Sequence, residues 1–199
     1  GTNTTTITNC YNKGSIVSTQ TQEKSKNCQA SGLVAICTSI LNVTYSYNTG
    51  SVTSYSYASG IVSTLSGGTT DNPNQIFHCY NMGNITTTGA WMAVGITSKI
   101  SGGATNINYC WNSGNISATA TATGSDPLEA REVAGIVGKI ENSSNVTLDS
   151  CSNSGTISAY QTVGGIIARN NGSKNIVIQS CVNTGKVIAR GEGEYNKGS

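Results

Sequence analysis

Charged side chains are scarce in this sequence. Asp, Glu, Lys and Arg make up 10% of the 199 residues, against roughly 25% in ordinary globular domains. None lies between Lys26 and Asp71. The net charge is only +2, whereas proteins that bind nucleic acids or anionic membrane surfaces carry concentrated Lys and Arg. We therefore expect no nucleic-acid partner and no binding to a charged membrane surface.

Long apolar runs and the known patterns of metal and catalytic sites are missing as well. No run approaches the roughly 18 apolar residues of a membrane span, so we expect no membrane insertion. The seven cysteines lack the C-x-x-C pairing typical of metal sites, and there is no G-x-S-x-G motif. The single histidine, His78, precedes Cys79, and adjacent strand residues point to opposite faces. We expect no catalytic residue, metal or cofactor.

What the sequence contains instead is a repeat, C-x-N-x-G-x-[I/V]. Its copies are Cys10–Ile16, Ser46–Val52 (with serine in place of cysteine), Cys79–Ile85, Cys110–Ile116, Cys151–Ile157 and Cys181–Val187. A second motif, glycine followed by two apolar residues, stands between most copies, as at Gly135-Ile136-Val137. Repetition at such intervals indicates a stacked repeat protein. We predict one domain over residues 1–199, with units near 7–42, 43–75, 76–106, 107–145, 146–175 and 176–199.

The residue pattern within a unit predicts strands. The named residues of the motif alternate, so they share one face of an extended chain, and no helical spacing is sustained. About three short strands fit a unit. We predict an all-β fold, a parallel β-helix (β-solenoid), with about six coils of roughly 30–40 residues, insertions at its corners and a right-handed sense.

Three residues of the motif have predicted structural roles. Asparagines stacked in register can bond amide to amide, and Asn-x-Gly is expected to turn the chain at a corner because asparagine tolerates a left-handed conformation. This structural ladder is Asn12, Asn48, Asn81, Asn112, Asn153 and Asn183. The cysteines are expected to form a buried core thiol stack, comprising Cys10, Cys79, Cys110, Cys151 and Cys181. Bridges between coils are the alternative, with Cys28–Cys37 the first candidate.

Two longer segments between motifs, 20–28 and 120–132, hold a large share of the charged residues. Insertions at one corner of a stacked unit disturb no neighbour. We therefore expect both segments, including Glu132, to be solvent loops.

The positions on either side of the cysteine are predicted to face solvent, and several of them carry rings. They are Tyr45, Tyr47, His78, Tyr80, Tyr109 and Trp111. Stacked coils would gather these rings into one patch. Flat aromatic surfaces suit sugar rings and protein partners. The alternative is that cross-strand stacking of the rings only stabilises the sheet.

The two motifs together resemble the GLUG-type repeats of large bacterial surface proteins, found in adhesin-like proteins and in some immunoglobulin A peptidases. Ala134–Gly138 is the nearest match to the Gly-Leu-Val-Gly core, followed by Gly164–Ile167, and the chain departs from the pattern at Ser46 and Ala93–Ile96. The resemblance implies a β-solenoid on an exported protein. It implies no peptidase activity, because the sequence has no His-Glu-x-x-His motif.

We expect a non-catalytic adhesin or stalk module, secreted or at the cell surface, whose partner is a host or cell-surface glycan or protein. One alternative is a structural subunit that associates head to tail into an extracellular filament, since both ends carry the repeat pattern and bare ends of a solenoid are open strand edges. A carbohydrate-active β-helix enzyme ranks third, because it needs carboxylates clustered in a groove.

Overall fold

The fold is all-β. A computed structural model of the protein describes residues 3–18, 28–89, 91–119 and 132–190. These residues form 26 strands in four sheets and no helix, so the described chain has no helix that could cross a membrane. Every strand pairing is parallel.

The four sheets are visited in the same order along the chain, and we number them in that order. Sheet 1 contains Thr4–Thr8, Val34–Cys37, Ile40–Thr44, Val62–Leu65, Asn74–Phe77, Thr97–Asn108, Val137–Asp149, Ile167–Asn171 and Ile176–Gln179. Sheet 2 contains Tyr11–Asn12, Tyr47–Asn48, Tyr80–Asn81, Trp111–Asn112, Ser152–Asn153 and Val182–Asn183. Sheet 3 contains Ile16–Val17, Val52–Ser54, Ile85–Thr87, Ile116–Ala118, Ile157–Ala159 and Val187–Ala189. Sheet 4 contains Gln29–Ser31, Tyr57–Ser59, Met92–Val94, Val133–Ala134 and Val163–Gly164.

Strand neighbours in space are equivalent residues of successive repeats. In sheet 2, Asn81 pairs with Asn48 on one side and with Asn112 on the other. In sheet 3, Ile85 pairs with Val52 and Ile116. Parallel, in-register stacking is therefore confirmed, and the arrangement is compatible with a β-solenoid. The estimate of three strands per unit was too low, because the chain also forms a short strand of sheet 4 just before each motif of glycine followed by two apolar residues.

The interior is a continuous column of aliphatic side chains and thiols. Val43, Ile76, Ile107 and Leu148 occupy equivalent positions in sheet 1 and have no exposed surface. Strand alternation places every second residue in this column. The alternate residues of the same strands, such as Phe77 next to Ile76, point outward and form part of the surface described below.

The Asn-x-Gly segments join sheets 2 and 3, as expected of a corner, but the expected left-handed asparagine is wrong, because left-handed residues lie instead at the corner between sheets 1 and 2. The left-handed residue is the one before the cysteine position, in every repeat: Asn9, Tyr45, His78, Tyr109, Ser150 and Ser180 have φ between 49° and 55°. The ladder asparagines themselves lie in strands. Because four of these six residues are tyrosine or serine, which have no preference for this region, the stacking of the repeats imposes the bend and no one residue type marks it.

Candidate binding groove

Two columns of rings run side by side along the stack, across the corner between sheets 1 and 2. The corner column consists of Tyr45, His78 and Tyr109, whose ring centroids are 5.4 and 5.0 Å apart with interplanar angles of 11° and 9°. Tyr45 and Tyr109 are 55% and 47% exposed. Rings at one position of in-register strands must stack, because those strands are about 4.8 Å apart.

The second column, the strand column, is formed by the first residues of four of the six strands of sheet 2. It consists of Tyr11, Tyr47, Tyr80 and Trp111, with centroid distances of 5.1, 4.8 and 4.3 Å and interplanar angles of 11°, 4° and 3°. The inward-pointing cysteine position separates the two columns, so their rings diverge and leave a groove of about 530 Å³ between them. The lining comprises Tyr45, Tyr47, His78, Tyr80, Tyr109, Trp111 and Ser150.

All six ring-bearing residues proposed from the sequence as a patch therefore line one groove. Phe77, which the sequence analysis left out, supports the corner column. Its ring meets those of Tyr45, His78 and Tyr109 edge to face, at 5.7, 4.4 and 5.7 Å. The strand alternation that places Ile76 inside also places Phe77 outside, so the signal was present in the sequence.

Stacking changes what the rings can offer to a ligand. His78 lies between Tyr45 and Tyr109, and Tyr80 lies between Tyr47 and Trp111. Both faces of these middle rings are covered by their neighbours. Along the middle of the groove, solvent meets ring edges and phenol hydroxyls, and flat faces are available only where a column ends.

Both columns end at serine toward the C-terminal repeats. Trp111 pairs in register with Ser152, and Ser150 holds the left-handed corner position that follows Tyr109. A serine side chain is too small to cover an indole or phenol ring. Beside these serines, the Ser150 hydroxyl donates to Asp149 Oδ1 at 3.0 Å and Gln179 Nε2 donates to Asp149 Oδ2 at 3.0 Å.

The ladder asparagines stand directly behind the groove. Each Nδ2 donates to Oδ1 of the next asparagine, over five successive bonds of 2.6–2.7 Å from Asn12 to Asn183. The second N–H of each amide donates to the carbonyl two residues ahead, as from Asn81 to Gly83 at 2.8 Å. These bonds hold sheet 2, and with it the strand column, at one spacing.

The cysteine positions form a column on the interior side of the same strands. Cys79, Cys110 and Cys151 have no exposed surface, Cys181 is half-buried and Cys10 is exposed. Within the described residues Cys10 has a neighbouring repeat on one side only, so it is less covered than the others. Burial raises the pKa of Cys110 well above its ordinary value, and its thiol neighbours on both sides add to this.

Cys37 is a free thiol, so the Cys28–Cys37 bridge is not formed.

His78 and Cys79 do not form a nucleophile pair. The His78 ring is exposed in the corner column, while the Cys79 thiol points inside and donates to the carbonyl oxygens of Val43 and Phe77 at 3.5 and 3.4 Å. The described residues contain no cluster of three or more His, Cys, Asp or Glu side chains that could hold a metal ion.

Comparisons with known proteins returned no match to a family model, to a curated protein or to a solved structure. The resemblance to GLUG-type repeats therefore stays a prediction.

A cluster of charged side chains lies away from the groove, on sheet 1. Lys99, Lys139 and Arg169 occupy equivalent positions of adjacent strands. Glu141 bridges Lys99 and Lys139, the latter at 2.7 Å, and Glu132 pairs with Arg169 at 3.2 Å. The expectation of a solvent loop was wrong for Glu132, which is 2% exposed. The other charged residues of the two long segments lie outside the described residues.

Proposed function

We propose that the chain is a non-catalytic repeat module of a secreted or cell-surface protein, and that it binds a glycan or a protein through the groove between the two ring columns. The observation that carries the proposal is the groove itself, a shallow, open surface that gathers six ring-bearing side chains. Tyr and Trp supply a large part of the contact energy in recognition. Large exposed apolar patches on soluble proteins mark interaction sites or ligand-binding grooves.

The finer architecture belongs to the same proposal. We take the four parallel sheets to be the faces of a right-handed parallel β-helix with about six coils. The support is that the chain passes through the sheets in a fixed order and that neighbouring strands are one repeat apart. The resemblance to GLUG-type repeats would place such a module on an exported bacterial protein.

The experiment is a printed array of glycans and extracellular-matrix proteins, probed with the wild type and with Tyr80→Ala and Trp111→Ala. We expect binding to weaken about tenfold or more in both variants, because each removes a ring from the groove. Tyr55→Ala is the matched control, since Tyr55 is a half-buried ring outside the groove, and it should change affinity less than about twofold.

Two outcomes would contradict the proposal. If a ligand binds all four proteins equally well, the groove is not the contact surface. If nothing on the array binds the wild type, the ring columns act only to stabilise the stacking of the repeats, as cross-strand pairs do.

Head-to-tail association is a second candidate, supported by the polarity of the asparagine ladder. At one end the Oδ1 of Asn12 accepts no amide from another asparagine, and at the other end Asn183 donates to none within the described residues. A second copy could continue the ladder in the same sense. Light scattering over a hundredfold range of protein concentration tests this, and a constant monomer mass would exclude it.

A further inference from the structure

Both ring columns end at the same step of the stack, between the fourth repeat and the fifth. No structural role explains why they end together. Four repeats carry a ring at the strand position, from Tyr11 to Trp111, and the next repeat carries Ser152. The corner column stops at the same step, where Ser150 follows Tyr109. The outer faces of Trp111 and Tyr109 are therefore left without a stacking partner inside the groove.

The space at this step has the size of one ring. Rings within the columns repeat every 4.3–5.4 Å. A ligand ring stacked on Trp111 at the same distance would lie beside Ser152, where the next side chain of the column would otherwise be. Parallel stacking at this distance is also the geometry in which the apolar face of a flat ligand contacts an indole.

Polar groups lie next to this space. Ser150 lines the groove and its hydroxyl bonds to Asp149, which also accepts from Gln179. The carboxylate keeps further lone pairs and the Gln179 amide keeps its carbonyl oxygen, so both can bond neighbouring hydroxyl groups. An apolar ring face beside a carboxylate and an amide matches a sugar, which has C–H groups on its face and hydroxyls at its edge. An aromatic side chain of a protein has no comparable set of hydroxyls.

We propose that this step is a subsite for one pyranose ring of a glycan, stacked on Trp111 and bonded at its edge by the Ser150 hydroxyl and by the Asp149 carboxylate beside it. The inference rests on the proposed function and adds to it the class of ligand and the position of one sugar unit. The stacked middle rings of the groove then contact neighbouring units of the glycan through their edges and hydroxyls.

The test uses the two tryptophans as reporters. The chain has only Trp91 and Trp111, and Trp91 lies beside Tyr57, away from the groove. The probes are methyl β-D-glucopyranoside, methyl β-D-galactopyranoside, methyl N-acetyl-β-D-glucosaminide and, as the aromatic alternative, N-acetyltyrosine amide. In proton–nitrogen correlation spectra we expect a pyranoside to shift the indole signal of Trp111 and leave that of Trp91 in place.

Filling the subsite gives the decisive variant. Ser152→Tyr adds the next ring to the strand column and should weaken pyranoside binding about tenfold or more, while its added stacking leaves the fold intact. Ser154→Tyr is the matched control: Ser154 is exposed and lies two residues further along the same segment, and the same substitution there should change affinity less than about twofold.

The outcomes separate this inference from the proposed function. If Ser152→Tyr binds a pyranoside as tightly as the wild type does, the subsite is wrong, while the groove stands as long as Tyr80→Ala still weakens array binding. If only N-acetyltyrosine amide shifts Trp111, or no probe does, the assignment to a sugar is overturned. Failure of the array experiment with every glycan and protein would overturn both.

Discussion

At the scale of single residues, the asparagine ladder shows how buried amides can be stabilising. Asn48, Asn81 and Asn112 are at most 1% exposed, and burying an amide without partners costs free energy. Here the Asn81 amide accepts from Asn48 and donates to Asn112 and to the Gly83 carbonyl. A column of identical residues in register can satisfy every amide in the same way, which is why the sequence alone suggested it.

The ladder predicts a large cost for losing one member. Asn81→Ala should lower the free energy of unfolding by about 3 kcal/mol, because it leaves a buried amide oxygen on Asn112 and the Gly83 carbonyl without donors. Chemical denaturation measures the change. Asn72→Ala is the control, since Asn72 is exposed in a turn, and it should change stability by less than about 0.5 kcal/mol. Equal effects of the two substitutions would show that the ladder contributes no stability.

At the scale of an element, the glycine of the motif matters because adjacent repeats approach closely there. A Cβ on Gly83 would collide with the carbonyl oxygen of Gly50, and one on Gly114 would collide with that of Gly83. Neither glycine has a positive φ. The expectation of a tight turn located the right residue, but contact with the neighbouring repeat is what excludes a side chain there.

Gly14, at the same motif position in the first repeat, is a matched control for Gly83. Gly83→Ala should destabilise the protein by about 3 kcal/mol, since the backbone of sheets 2 and 3 must shift. Gly14→Ala should change stability by less than about 0.5 kcal/mol, because its nearest neighbour would be Asn12 Oδ1 at 3.7 Å. Thermal and chemical unfolding of both variants measure the difference. If Gly14→Ala is as damaging as Gly83→Ala, the requirement is local to the turn and does not come from stacking.

The elements also explain why the groove is concave. The left-handed corner residue and the first residue of each sheet 2 strand both point outward, with one inward residue between them. Non-glycine residues in this conformation cost about 1–3 kcal/mol each. The cost is offset where rings stack, since aromatic pairs contribute about 0.5–1.5 kcal/mol beyond burial.

At the scale of the whole molecule, five charged side chains on or next to sheet 1 form ion pairs, two of which, Lys99–Glu141 and Arg169–Glu132, join different repeats. Burial raises the pKa of Glu132 above its ordinary value, and the charges of Lys139 and Arg169 offset this only in part. Burial alone would also raise the pKa of Glu141, but hydrogen bonds from Lys139 and Lys99 outweigh it and the pKa is lowered. The two carboxylates therefore affect stability with opposite signs.

This predicts a maximum of stability near the ordinary pKa of glutamate. The folded state binds the Glu132 proton more tightly than the unfolded state does, so the free energy of unfolding falls as pH rises from the ordinary pKa through the raised one. Glu141 behaves in the opposite way: its contribution is present above the ordinary pKa and is lost as pH falls through the lowered one. Denaturation midpoints measured across this pH range should rise up to the ordinary pKa of glutamate and fall above it.

Single substitutions show which carboxylate causes the rise in stability below the ordinary pKa and which causes the decline above it. Glu132→Gln should flatten the decline above the ordinary pKa, and Glu141→Gln should flatten the loss below it. If the stability of Glu132→Gln declines with pH as steeply as that of the wild type, other groups cause the decline and the effect of burial on the pKa of Glu132 is contradicted.

By itself, the sequence determined the spacing of the repeats, the parallel in-register strands and the inward column of Asn, Cys and Ile. These follow from alternation and repetition, which act between residues close in the chain or at equivalent repeat positions. Tertiary structure decided the left-handed corner before each cysteine position and the burial of Glu132. Each of these depends on where a neighbouring repeat lies in space, 30 to 41 residues away along the chain, and no local pattern of residues records that contact.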